Sequence, residues 1–126
     1  MCGRAYETYT DEELYFRYLG KPPLTLLHLS PIYNLCPGLN SPVLRWVNGE
    51  RQFDRMHWQL IPDWEPAFKT KLSTINAKSE TLFSSRLYRD LILRRRCIVP
   101  LSGFFEWKKE RQGKARSEFM FVMNRL

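Results

Sequence analysis

Residues 41–62 read SPVLRWVNGERQFDRMHWQLIP, and the fold class turns on the dipeptide at their centre. Asn48-Gly49 suits a type I′ turn, which needs positive φ at both central positions. Asparagine enters that region more easily than most residues, and glycine has no Cβ to clash. The runs on either side are strand-like, so the stretch predicts a β-hairpin. Working outward, MCGRAY at the start of the chain reads as a short strand. TDEELYFRYLG (10–20) reads as a helix with Thr10 as cap, Glu13 completing a capping box and Gly20 as the stop.

The Pro-rich stretch KPPLTLLHLSPIYNLCPG (21–38) reads as irregular, and DWEPAFKTKLSTINAK (63–78) as loop. From Ser79 to about Arg95 the spacing predicts a second helix, with Phe83, Leu87 and Leu91 on one face. RCIVPL (96–101) and FFEWKK (104–109) read as strands, ERQGKAR (110–116) as a basic turn, and SEFMFVM (117–123) as a last strand. The result is a strand-rich α+β chain with two helices. Its last strand has no closing turn, so either another segment covers that edge or the chain is incomplete at its C-terminus.

Composition narrows the function classes. The chain has 126 residues, 44% hydrophobic and 14% aromatic, which suits one domain with a real core rather than a disordered tail. No apolar run approaches the roughly 18 residues of a membrane span. MCGRAYETYTDEE turns acidic where a signal peptide would turn apolar, which points to the cytoplasm. Lys and Arg number 20 against 13 Asp and Glu, a net +7 that favours polyanionic partners.

Three cysteines, Cys2, Cys36 and Cys97, lie too far apart for a zinc ribbon. His28 and His57 have no ligand-like spacing, so no metal or other cofactor is expected. The apolar neighbours of Cys36 and Cys97 read them as small buried hydrophobes. Cys2 differs. Removal of Met1 would leave it with a free α-amine and a thiol two carbons apart. Their ordinary pKa values are about 8 and about 8.5, so both groups have a nucleophilic fraction near neutrality. An amine attacks an aldehyde to form a Schiff base, and the neighbouring thiolate closes it into a thiazolidine ring. The ring-opened sugar of an abasic DNA site is such an aldehyde. Cys2 also fits an N-terminal-nucleophile hydrolase, or an incidental terminal residue.

Five segments in order narrow this further: MCGR, YNLCPG (33–38), HWQLIPDW (57–64), STINAKSET (73–81) and SGFFEWKK (102–109). Together they resemble the SRAP family, first named as SOS-response-associated peptidases, whose members sense abasic sites in single-stranded DNA by crosslinking to them. The resemblance implies an SRAP-type fold of mixed sheets or an open barrel with flanking helices. It makes residues 1–126 a single SRAP domain, the N-terminal part of the family's full domain.

By the same resemblance Cys2 is the crosslinking nucleophile, Asn76 orients the terminus and the opened sugar, and Glu106 is the acid/base. Read without it, Asn76 is a turn residue and Glu106 a solvated strand residue. Arg4, Lys78 and Arg86 fall where the family contacts phosphates. Lys78 departs from the usual arginine and lacks its bidentate fork. Trp64, with Phe68 nearby in the loop before Asn76, reads either as a ring that stacks on a base or as a core residue, and Pro37 as shaping the pocket wall. Gln59 replaces a common glycine. Neither His28 nor His57 matches the histidine that the family supplies from its later half.

The expected partner is single-stranded DNA carrying abasic sites, bound by a monomer, with association through the last strand's open edge as the alternative. Damaged DNA at the nucleoid is the expected location. Two other functions fit the same residues: a thiol hydrolase that processes its own terminus, and an inactive DNA-binding remnant.

Overall fold

A computed structural model describes residues 3–109 and 116–122. In chain order the elements are β1 (Arg4–Glu7), α1 (Asp11–Leu19), β2 (Ile32–Leu35), β3 (Asn40–Val47), β4 (Glu50–His57), a 3₁₀ turn (Ser79–Thr81), α2 (Leu91–Arg94), β5 (Gly103–Lys109) and β6 (Arg116–Val122). They form two compact units. One takes the described residues up to Cys36 and from Val99 onward; the other is Pro37–Ile98. Among the described residues no helix is long and apolar enough to cross a membrane.

The first unit is a four-stranded antiparallel sheet in the order β2-β1-β5-β6. Ala5 pairs with both Leu35 and Phe104, and its side chain is fully buried. A small residue suits a strand covered on both flanks. Beyond β1 the ladder is continued by side chains. Ser102 Oγ accepts from the Thr8 amide at 3.0 Å and lies 3.0 Å from the Thr8 hydroxyl. The Tyr9 hydroxyl donates to the Leu101 carbonyl, and desolvation raises the Tyr9 pKa above the ordinary phenol value.

Helix α1 starts and stops as its sequence dictates. Thr10 Oγ1 accepts from the Glu13 amide, and Glu13 Oε2 accepts from the Thr10 amide, completing the capping box. Asp11, Glu12 and Glu13 fill the first turn and Arg17 the last, matching the helix dipole. Gly20 closes the helix at φ 68, its N–H donating to the Phe16 carbonyl.

Asp11 does more than begin the helix. Its buried carboxylate accepts from the Leu27 amide at 2.6 Å and from the Leu29 amide at 3.0 Å. His28 between them sits at φ 54, a left-handed position where alternating amides can turn to one anion. The Tyr15 hydroxyl adds a 3.1 Å bond to the Thr25 carbonyl. The Pro-rich stretch is therefore tied down without a ladder of its own. It also ends in β2, a strand that the sequence pattern does not announce. Only Leu35 of its four residues is buried, and pairing with β1 is what makes the segment a strand.

The second unit is built on the β3–β4 hairpin, eight rungs from Asn40↔His57 to Val47↔Glu50. Asn48 and Gly49 sit at φ 49 and 86, as a type I′ turn requires. Val43, Leu44 and Phe53 are buried. Gln52 and Arg45 both donate to Asp54 Oδ2, and these bonds, Gln52 first, hold the Asp54 pKa below the ordinary aspartate value.

Three expectations are corrected here. The helix over residues 79–95 is broken into a 3₁₀ turn, further turns and the four-residue α2. Isolated helical bonds persist, Ser85 to the Thr81 carbonyl and Arg89 to the Ser85 carbonyl, but the Leu87 amide donates to Ser85 Oγ, a local bond that competes with the helical ladder. Phe83, assigned to the buried face, is exposed. RCIVPL is a single bridge, Ile98 with Leu44, rather than a strand. Cys97 is exposed and Cys36 only half-buried, so neither is a core residue, although desolvation still raises the Cys97 thiol pKa. The basic turn expected at 110–116 lies outside the described residues except for Arg116, which begins β6.

Replacing Asp11 with alanine removes two charge-assisted bonds at a buried site, and about 3 kcal/mol of stability is expected to go with them. Denaturant titration measures it; a loss below about 0.5 kcal/mol contradicts the clamp. Asp54 predicts an acid-limb effect. Its depressed pKa contributes stability that is present above the unfolded value of about 3.9 and lost as pH falls through the lower folded value. Parent and Asp54→Asn should therefore differ at neutral pH and converge in strong acid, as followed by thermal melts across pH.

Candidate functional site

In the first unit Arg4 opens β1 and is exposed; its Nη1 donates to Asn34 Oδ1 on β2. The register Arg4↔Phe105 puts Glu106 just past the start of β1, at the end of the strand that follows MCG in sequence. Glu106 is half-buried. Alternation then divides the sheet. Arg4, Tyr6 and Phe105 share one face, with the Tyr6 and Phe105 rings 5.9 Å apart. Ala5, Glu7, Phe104 and Glu106 share the other. Arg4 and Glu106 thus meet at one end of the β1–β5 pairing but on opposite faces. Cys2 lies outside the described residues.

Sequence reasoning missed two residues here. Asn34 holds the Arg4 guanidinium, and its place in an unannounced strand hid it. Glu7 is a buried carboxylate on the Glu106 face at the other end of the pairing. Only strand alternation through Ala5 and Glu7 signals it.

The second unit carries the remaining predicted residues. Pro37 is half-buried, directly before Gly38, which sits at φ 97 and donates to the Trp58 carbonyl at 3.0 Å. Trp58 returns a bond to the Leu39 carbonyl at 2.8 Å, so the base of the hairpin fixes where the 59–64 segment departs. Trp64 is exposed, and the Arg86 guanidinium carbon lies 6.0 Å from its ring centroid. That is the outer limit of a cation–π contact. The two residues line an open pocket of about 370 Å³. Leu60, Ile61, Pro62, Leu87 and Leu91 supply its apolar wall, and Asp63, Asp90, Arg94 and Arg95 join Arg86 around it. Arg94 and Arg95 were also missed; the run LRRR at 93–96 was their signal.

Asn76 and Lys78 are exposed on the loop before the 3₁₀ turn, whose Thr81 amide bonds back to the Lys78 carbonyl. Two residues before Asn76, Thr74 is buried, and its hydroxyl has no hydrogen-bond partner among the described residues. Phe68 is exposed, and its ring meets the His57 imidazole edge-on at 5.1 Å. The structure thus brings Trp64 together with Arg86, and sets Asn76 and Lys78 on one loop. Among the described residues no three His, Cys, Asp or Glu side chains gather as a metal site would require.

The family model for SOS response associated peptidase (SRAP) matches residues 1–125. The chain belongs to the SRAP family. Abasic site processing protein YoaM of Bacillus subtilis is 32% identical over 114 residues, covering 86% of this chain and 48% of that protein. YedK of Escherichia coli, likewise named an abasic site processing protein, is 32% identical over 114 residues, or 87% and 49%. HMCES of Xenopus tropicalis, of the same description, is 35% identical over 96 residues, or 67% and 29%.

A phage-related protein of Bordetella bronchiseptica superposes with TM-score 0.69 at 26% identity, over 94% of this chain and 54% of that one. A Bacteroides thetaiotaomicron protein gives 0.70 at 24% identity and speaks for the fold alone. The SRAP chain described here thus spans about a third to a half of these curated relatives. The strand-rich α+β reading holds.

Trp64 and Arg86 are both exposed, so neither holds much of the fold. Alanine at either position should cost less than about 1 kcal/mol, and a double-mutant cycle should give a coupling near 0.5 kcal/mol. A zero coupling would mean the ring and the guanidinium do not interact in solution.

Proposed function

We propose that this chain captures abasic sites in single-stranded DNA as a covalent crosslink through Cys2. The observation that carries the reading is the family match over residues 1–125, with relatives named for abasic site processing. The basic balance of the chain and the Trp64–Arg86 pair support it.

The chemistry balances without a co-reactant. Once Met1 is gone, the Cys2 amine adds to the sugar aldehyde to give a carbinolamine. Loss of one water gives the Schiff base. The Cys2 thiol then adds its sulfur to the imine carbon and its proton to the nitrogen, closing the thiazolidine. Glu106 protonates the departing hydroxyl and recovers the proton, the ordinary work of a carboxyl group. Asn76 donates to a sugar oxygen and accepts from the amine through one amide. Arg4, Lys78 and Arg86 neutralise phosphates, Trp64 stacks on a base beside the lesion, and Pro37 limits the pocket. In this reading the protein acts as a monomer in the cytoplasm, on damaged DNA at the nucleoid.

The family description also carries the word peptidase, which favours a second reading: an N-terminal thiol hydrolase acting on its own leader. Intact mass separates the two. Incubation with abasic single-stranded DNA should add the oligonucleotide mass less one water, once per chain. Cys2→Ala should abolish the adduct, and Glu106→Gln should slow it by about 10²-fold. An adduct that survives Cys2→Ala removes the proposal. Multiple turnover of an added peptide without any adduct establishes the hydrolase instead.

A further inference from the structure

The β3–β4 hairpin separates its charges by face. Register and alternation put Arg45, Glu50, Gln52 and Asp54 on one side. Trp46, Arg51, Arg55 and His57 lie on the other, with no acidic residue among them. Trp46 sits one rung from the turn, directly across from Arg51, and 69% of it is exposed. Arg51 and Arg55 are exposed and form no ion pair among the described residues. On the opposite face Asp54 already holds Arg45. Further down the Trp46 face, Leu44 and Phe53 are buried. Of the hairpin's own apolar side chains on this face the indole alone is exposed, and Ile98, bridged to Leu44, adds one exposed aliphatic neighbour. That is too small for an apolar protein partner, which takes a continuous patch of several hundred Å². An aromatic ring with arginines beside it and no carboxylate on its face is what a single-stranded polyanion requires.

We infer that the hairpin tip is a second contact for single-stranded nucleic acid, with Trp46 stacking on a base and Arg51 taking a neighbouring phosphate. The inference rests on the DNA-binding reading above but uses none of its residues. The Asn48-Gly49 turn and the eight-rung ladder fix the backbone that carries the indole before the strand arrives, which limits the ordering cost of binding. Stacking on an aromatic ring and a phosphate contact are both indifferent to sequence, so the tip extends the grip along the strand rather than reading bases.

The test uses the full chain with oligothymidylate of roughly 20 nucleotides, intact or carrying one abasic site. Anisotropy gives affinity against salt, and intact mass gives adduct. Trp46→Ala should weaken binding to the intact strand by roughly 5- to 150-fold, the range of one base–aromatic stack, and Trp46→Phe should restore most of it. Arg51→Ser should flatten the slope of log K against log salt by about 0.7, the contribution of one phosphate. Adduct at saturating abasic DNA should stay at the parent level in all three variants. Parental affinity in Trp46→Ala and Arg51→Ser overturns the inference. So does a loss that Trp46→Phe does not restore and that comes with a lower melting temperature, because Trp46 is then a fold residue. If the parent forms no adduct but binds the strand, the Cys2 chemistry fails and the hairpin result still counts. A parent that binds no strand overturns both.

Discussion

One buried carboxylate organises the first unit. Asp11 takes two backbone amides that have no strand or helix to bond to, and it does so from the first turn of α1. Without that acceptor the Leu27 and Leu29 amides would lose their partner, and the chain between α1 and β2 would keep only the Tyr15–Thr25 bond to guide it. The consequence runs outward by contact. The anchored stretch delivers Ile32–Leu35 beside β1, and β2 presents Asn34 to the Arg4 guanidinium. A helix-start residue thus sets the direction of a surface cation on a different element.

The two units divide the chemistry between them. The first holds Glu106 on β5, paired with β6 at Glu106↔Phe119 and next to the Arg4↔Phe105 rung of β1. Strand residues held in this way are positioned more tightly than loop residues, which suits the proton-transfer role proposed for Glu106. The second unit holds Asn76, Lys78, Arg86 and the exposed Trp64 and Phe68 rings, on irregular chain between β4 and α2. Loops on a rigid hairpin are an ordinary place for binding residues. The hairpin contributes a rigid frame and, on one face, a cationic surface of its own.

Features written into a few adjacent residues were legible in the sequence. The Thr10–Glu13 capping box, the Gly20 stop and the Asn48-Gly49 turn each depend on local backbone chemistry, and each formed where expected. Features that depend on distant partners were not. β2 exists because β1 lies beside it, and its own four residues carry no alternation. The apolar spacing over residues 79–95 looked helical, yet the ladder is discontinuous, with the Leu87 amide turned to the Ser85 hydroxyl. The predicted site was legible as residue types and only partly as geometry. Trp64 and Arg86 meet, while the separation of Arg4 from Glu106 across the sheet came from register, which no motif encodes.

The Thr8–Ser102 bond spans 94 residues. Closing a loop of that length costs about 4 kcal/mol in chain entropy before any strand pairing repays it. Synthesis adds further delay: at roughly 5–20 residues per second, β5 is made about 5–20 s after β1. Through that interval the start of the chain has left the ribosome with no β5 to pair with. The long-range topology of the sheet therefore leaves one side of β1 without its partner strand until most of the chain has been translated.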